Sequence, residues 1–183
     1  MADWWLISWT TYATWLPGDE RGYRTWRGET YVPPPKRYAM PGEPTYQAKG
    51  HIAVREIAQA ISDEPVYLTA KEVEIALAAM VGEVAQIAMV PAIMSIGDWH
   101  VHWLCHFGKL KIRPVVSRVK AAATRELNAI GFQGKKPWTK GCNMKSKPTR
   151  RQCRSAYKYV RDHQEQGCLV YEWKIDPGHL VFD

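Results

Sequence analysis

Between Met89 and Phe107 the chain carries two runs of strand-forming residues, Met89–Ile96 and Trp99–Phe107, separated only by Gly97-Asp98. A turn dipeptide between two such runs predicts an antiparallel hairpin, and a hairpin is stable only when further elements cover its apolar face. Because side chains alternate along a strand, Trp99, Val101, Trp103 and Cys105 are expected on one face. His100, His102, Leu104 and His106 then share the other.

The flanking sequence supplies the covering elements. Asp3–Trp15 is rich in Trp, Ile, Thr and Tyr and reads as a strand that Pro17-Gly18-Asp19 ends. From there to about Lys49 the chain holds Pro33-Pro34-Pro35, Pro41-Gly42 and Pro44 without usable periodicity, so residues 16–50 are expected to form an insertion or arm. A short helix is predicted over about 51–62. A firmer one follows Thr69-x-x-Glu72, which has capping-box spacing, with Val73, Ala76, Leu77, Met80, Val84 and Ile87 recurring at helical intervals. A helix from about Pro114 to Ile130 keeps Val116, Val119, Ala123, Leu127 and Ile130 on one side and projects Arg118, Lys120 and Arg125 elsewhere.

The Lys-rich segment Phe132–Pro148 is expected to form a strand or hairpin, Thr149–Gln166 a last amphipathic helix, and Cys168–Trp173 a short strand. This order points to an α+β fold, a ferredoxin-like antiparallel sheet with helices packed on one face and one further helix near the C-terminus. At 183 residues and 46% hydrophobic, residues 1–183 are expected to make one domain with a real core.

Charge is strongly segregated. The formal net charge is +7, yet residues 109–161 hold 16 Lys and Arg against one acid, Glu126, and the other 130 residues are net acidic. A basic block on a mildly acidic remainder favours a polyanion partner, above all nucleic acid. Within that block Lys120, Arg125, Lys135, Lys136, Lys140, Lys145, Lys147, Arg150, Arg151 and Arg154 are the candidate phosphate contacts. Trp138, set among lysines, is the first candidate for stacking on a base.

The apolar run 85–97 is broken by Pro91 and falls short of the roughly 18 to 20 residues a membrane-spanning helix needs. The start Met1-Ala2-Asp3 carries an acid where a secretory leader carries Lys or Arg. No membrane association and a cytoplasmic location, on the nucleoid when bound to DNA, are the expectations. Cys105, Cys142, Cys153 and Cys168 form no CxxC pair and read as free thiols.

His100-Val101-His102 is the sharpest local signal, since residues i and i+2 of a strand can present two imidazoles to one divalent ion. The last helix offers the third ligand. There Cys153, Ala156, Tyr157, Val160 and Gln164 fall on one stripe, which marks Tyr157 as a structural aromatic and leaves Tyr159 and His163 free to face the histidine pair. Gln164, about 140° from Tyr159 around the helix, is the alternative ligand. A divalent ion on these residues would neutralise charge on a phosphodiester, and a tyrosine phenol relieved of its proton is a usable nucleophile.

The His-hydrophobic-His strand, the helix with Lys120 and Thr124-Arg125, and Tyr159-Val160 followed by His163 about 57 residues after the histidine pair resemble the single-tyrosine HUH transposases. That family includes insertion-sequence transposases acting on single-stranded DNA and the REP-associated tyrosine transposases. The resemblance spans roughly Trp4 to Trp173, and the block from Trp15 to Gly22 is similar to a stretch in a bacterial subgroup. It implies a homodimer that nicks and transfers single-stranded or hairpin DNA with Mg²⁺ or Mn²⁺. His100 and His102 would be metal ligands, His163 or Gln164 the third, and Tyr159 on a catalytic helix the nucleophile that forms a 5′-phosphotyrosine.

Two other readings compete. One is a catalytically inactive, domesticated protein that grips hairpin DNA or RNA with the same groove. The other is a structural Zn²⁺ clip on His100, His102, Cys105 and His106, which strand alternation opposes because Cys105 falls on the wrong face.

Overall fold

In a computed structural model, which describes residues 4–19, 22–24, 31–32, 46–134 and 136–174, the predicted hairpin sits inside a five-stranded antiparallel sheet. The chain runs β1 (Trp4–Thr10), β2 (Tyr23–Arg24), β3 (Tyr31–Val32), α1 (Tyr46–Ala60), α2 (Ala70–Val84), β4 (Val90–Ile96) and β5 (His100–His106). It continues through α3 (Ile112–Ala129), β6 (Asn143–Lys147), α4 (Arg150–Asp162), a 3₁₀ turn (His163–Gln166) and β7 (Leu169–Glu172). Strand order in the large sheet is β6-β1-β5-β4-β7. Among the described residues no helix is long and apolar enough to cross a membrane.

The chain divides into two compact units, residues 12–65 and the remainder. In the first, β2 pairs with β3 and α1 follows. There the Trp15 indole N–H donates to the Gly22 carbonyl at 2.6 Å. Residues 25–30 and 33–45 of the expected insertion lie outside the described residues.

The larger unit is built on strand alternation. Val101, Trp103 and Cys105 of β5 join Ile7 and Trp9 of β1 and Met94 and Ile96 of β4 in one core, which α2 and α3 cover. The Thr69–Glu72 capping box forms as expected, the Glu72 amide donating to Thr69 Oγ1 and the Thr69 amide to Glu72 Oε2. Val73, Ala76, Leu77, Met80 and Val84 of α2 are buried, and each such side chain removed from water contributes about 1.5–3 kcal/mol when large. Helix α3 begins two residues before Pro114, which is tolerated in a first turn because the N–H it lacks would have no helical partner. It ends at Ala129, so Ile130 lies outside the expected apolar stripe and is exposed.

The opposite face of the sheet carries a smaller core, Ile93 and Leu104 against Ala156 and Val160 of α4. Helices therefore occupy both faces, α2 and α3 on one and α4 on the other. The histidines of β5 lie on the α4 side.

Two residues expected at a DNA surface are instead part of the α2–α3 side. Trp138 is 7% exposed and packs in the large core, where its residue bridges to Thr11. Lys120 is 9% exposed, its ammonium 5.3 Å from the Trp9 ring centroid and donating to the carbonyls of Thr139 and Gly141. Burial lowers its pKa to about 8. Apolar neighbours excluded both side chains from solvent despite the lysines around them in sequence. Replacing Lys120 by Met keeps the stem but leaves two carbonyls without their charged donor. Denaturant unfolding of Lys120→Met should show a loss of about 1.5–3 kcal/mol.

Candidate metal centre

Helix α4 reaches the histidines because both its ends are tied to the sheet. At its start the Gln152 amide donates to Thr149 Oγ1 and the Thr149 amide to Gln152 Oε1, a second capping box directly after edge strand β6. Cys153, Ala156 and Val160 then bury one stripe. After the 3₁₀ turn, Gly167 adopts φ 83°, a left-handed conformation that costs glycine nothing, and releases the chain into the other edge strand, β7.

This places His163 over the β5 pair. The rings of His100 and His102 lie 5.0 Å apart between centroids, His100 and His163 5.2 Å, and His102 and His163 4.4 Å. One ligand atom from each falls within 4.8 Å of the others, so the three could hold one metal ion. His163 Nδ1 lies 2.7 Å from the Tyr159 carbonyl oxygen. Donating its Nδ1–H there leaves Nε2 as the coordinating atom, the arrangement in which a backbone carbonyl fixes a ligand's tautomer.

The ring of Tyr159 meets both imidazoles edge-on, 5.1 Å from His102 and 4.6 Å from His163. It is 47% exposed, and partial burial raises its pKa above the usual phenol value. Tyr157, half-buried against the small core, donates to Glu172 Oε2 at 2.7 Å. Burial and that carboxylate push its pKa up to about 12. The two tyrosines of the helix thus have separate environments, one at the histidines and one latched to β7.

Burial, then the neighbouring His100, His163 and Lys145, lowers the His102 pKa to about 3. Its imidazole is neutral at pH 7, the state that binds metal. Cross-strand pairing puts Asn143, Ser8, His102, Ser95 and Val170 in one row and Lys145, Leu6, Leu104, Ile93 and Glu172 in the next. Lys145 therefore shares the histidine face.

The remaining expectations divide. His163 lies on the buried stripe, 5% exposed, whereas Gln164 is exposed; the expectation that Gln164 continued that stripe is corrected by the tightening of the helix into a 3₁₀ turn at His163. Lys136, Lys140, Arg150, Arg151 and Arg154 are exposed and Lys147 half-buried. Lys135 lies outside the described residues. Arg125, on the far side of the sheet, is 3.6 Å from Glu83 of α2, which also pairs with Arg118. Cys105 is buried in the opposite core and His106 packs 5.9 Å from Trp4, so neither joins the cluster.

Two nearby residues were not anticipated. Cys168 Sγ lies 3.9 Å from His100 Nε2, and Gly97 admits it: a Cβ there would stand 2.8 Å from that sulfur. Ser95, fully buried, faces His102 across the β4–β5 ladder. The Gly97-Asp98 turn read from the sequence would set Ile93 opposite His102, and only the observed register brings Ser95 there. No protein-family model matches the chain, and no curated protein or solved structure is similar to it.

The shift at His102 has a thermodynamic consequence. The unfolded chain takes up this proton near pH 6.5 and the folded chain only near 3, so stability present above 6.5 is lost as pH falls through that window. Urea unfolding in chelator at pH 7.5 and 4.5 should differ by on the order of 2–3 kcal/mol from this residue. His102→Asn should flatten the dependence by that amount.

Proposed function

We propose that the chain is a metal-dependent single-stranded DNA endonuclease and strand transferase of the single-tyrosine HUH type. The observation that carries the reading is the contact of the Tyr159 ring with two members of a three-histidine cluster, all within one chain. His100, His102 and His163 hold the ion. Three imidazoles favour Mn²⁺ over Mg²⁺, which prefers oxygen ligands. When bound, the ion supplies positive charge for the non-bridging oxygens of the scissile phosphate.

Tyr159 is the nucleophile. Its oxygen bonds to phosphorus as the bond to the 3′ oxygen breaks, leaving a 5′-phosphotyrosine and a 3′-OH; the phenol loses one proton and the departing oxygen gains one. Its raised pKa means phenolate is scarce in the resting protein, so activation belongs to the loaded site. Lys145, on the same face, contacts the phosphate. Lys136, Lys140, Lys147, Arg150, Arg151 and Arg154 hold the flanking backbone, and hairpin DNA and a second copy of the chain are the partners of this reading. Tyr157, latched to Glu172, positions the helix.

End-labelled single-stranded DNA incubated with the protein and Mn²⁺ should yield a denaturation-resistant adduct on a gel. Tyr159→Phe should reduce it below detection, while Tyr157→Phe keeps it and lowers Tm. Adduct from Tyr159→Phe would overturn the assignment, and salt-sensitive binding without cleavage in the wild type would leave the inactive binder.

Binding should weaken with salt by a log–log slope of about −0.7 per phosphate contact on a single strand. Lys145→Ala should make that slope shallower by about 0.7 in a salt titration. An unchanged slope would remove Lys145 from the phosphate contacts.

A further inference from the structure

The second ring nitrogens of two of the histidines are treated differently. His163 Nδ1 is paired with the Tyr159 carbonyl, whereas His102 Nδ1 is sealed from solvent and has no hydrogen-bond partner among the described residues. Directly across the β4–β5 ladder stands Ser95, on the same face, 0% exposed, with its Oγ also sealed and unpartnered. Burying either group alone opposes folding, and the two occur on facing residues. Facing residues hold their Cβ atoms about 4.5–5.5 Å apart, so rotation of Ser95 about χ1 brings its hydroxyl to the ring nitrogen directly or through one water.

We propose that Ser95 is the positioning residue of His102: its hydroxyl oxygen accepts the Nδ1–H and so fixes the tautomer that presents Nε2 to the ion. The side chain does for His102 what the Tyr159 carbonyl does for His163. Alanine fits the same space and leaves no orphaned hydroxyl, so packing gives no reason for serine here; ligand geometry does. The proposal rests on the metal reading of the cluster and is independent of DNA cleavage.

The test uses the full chain and Mn²⁺ alone, with free ion followed by electron paramagnetic resonance. Ser95→Ala, which loses that hydrogen bond, should bind 10–100-fold more weakly. Ser95→Thr, which keeps the hydroxyl, should bind within about threefold of the wild type. In the metal-free chain at neutral pH, ¹⁵N spectra of labelled histidine should show His102 as one Nδ1–H tautomer, and as a mixture in Ser95→Ala. Ser95→Ala binding within about twofold of a wild type that binds Mn²⁺ would overturn the Ser95 assignment alone. Weaker binding with a lower metal-free Tm and an unchanged tautomer would overturn it too, as a structural effect. A wild type that binds no Mn²⁺ would overturn the metal reading and this proposal together.

Discussion

The site exists because α4 lies down on the sheet, and it does so through a narrow contact. Ala156 and Val160 meet Ile93 and Leu104, with Trp4, Leu6, Tyr157 and Val170 around them. The helix is otherwise highly basic; Arg150, Arg151, Arg154, Lys158 and Arg161 crowd its outer side, and like charges three or four residues apart oppose helix formation in isolation. Burial of a few small apolar groups therefore holds together a surface that would repel itself. Alanine at 156 lets the backbone approach closely enough for His163 to reach β5.

That approach creates the chemistry of the cluster. Burial and the neighbouring His100, His163 and Lys145 disfavour a charge on His102. The protein accepts the desolvation and obtains at His102 a neutral nitrogen donor beside two further imidazoles. A basic helix and a histidine cluster that could hold a metal ion thus lie on the same side of the sheet.

Much of this was legible from the chain. Alternation along 100–106 assigned both faces of β5, the Thr69-x-x-Glu72 box located the start of α2, and the last helix was placed from Thr149. Periodicity failed where geometry changes: the tightening after Asp162 brought His163 onto the buried stripe and turned Gln164 outward. Composition failed at Lys120 and Trp138, whose lysine-rich neighbourhood says nothing about which side chain an apolar core will enclose. The turn mattered most. A two-residue connection at Gly97-Asp98 would pair Ile96 with Trp99 and set Ile93 beside His102; the observed one includes Trp99, pairs Ile96 with Val101, and sets Ser95 there instead.

The path of the chain around α4 has one more consequence. Strands β6 and β7 are the two outer edges of the sheet, and α4 straps across from one to the other. Residues 143–172 can peel away without breaking the inner β1–β5–β4 ladder, making them a natural unit of local opening. A cation shared by His100, His102 and His163 is then a cross-link between the middle of the sheet and its strap, closing a long loop much as a disulfide would. Slowed hydrogen exchange over that strap would be the imprint of such a staple.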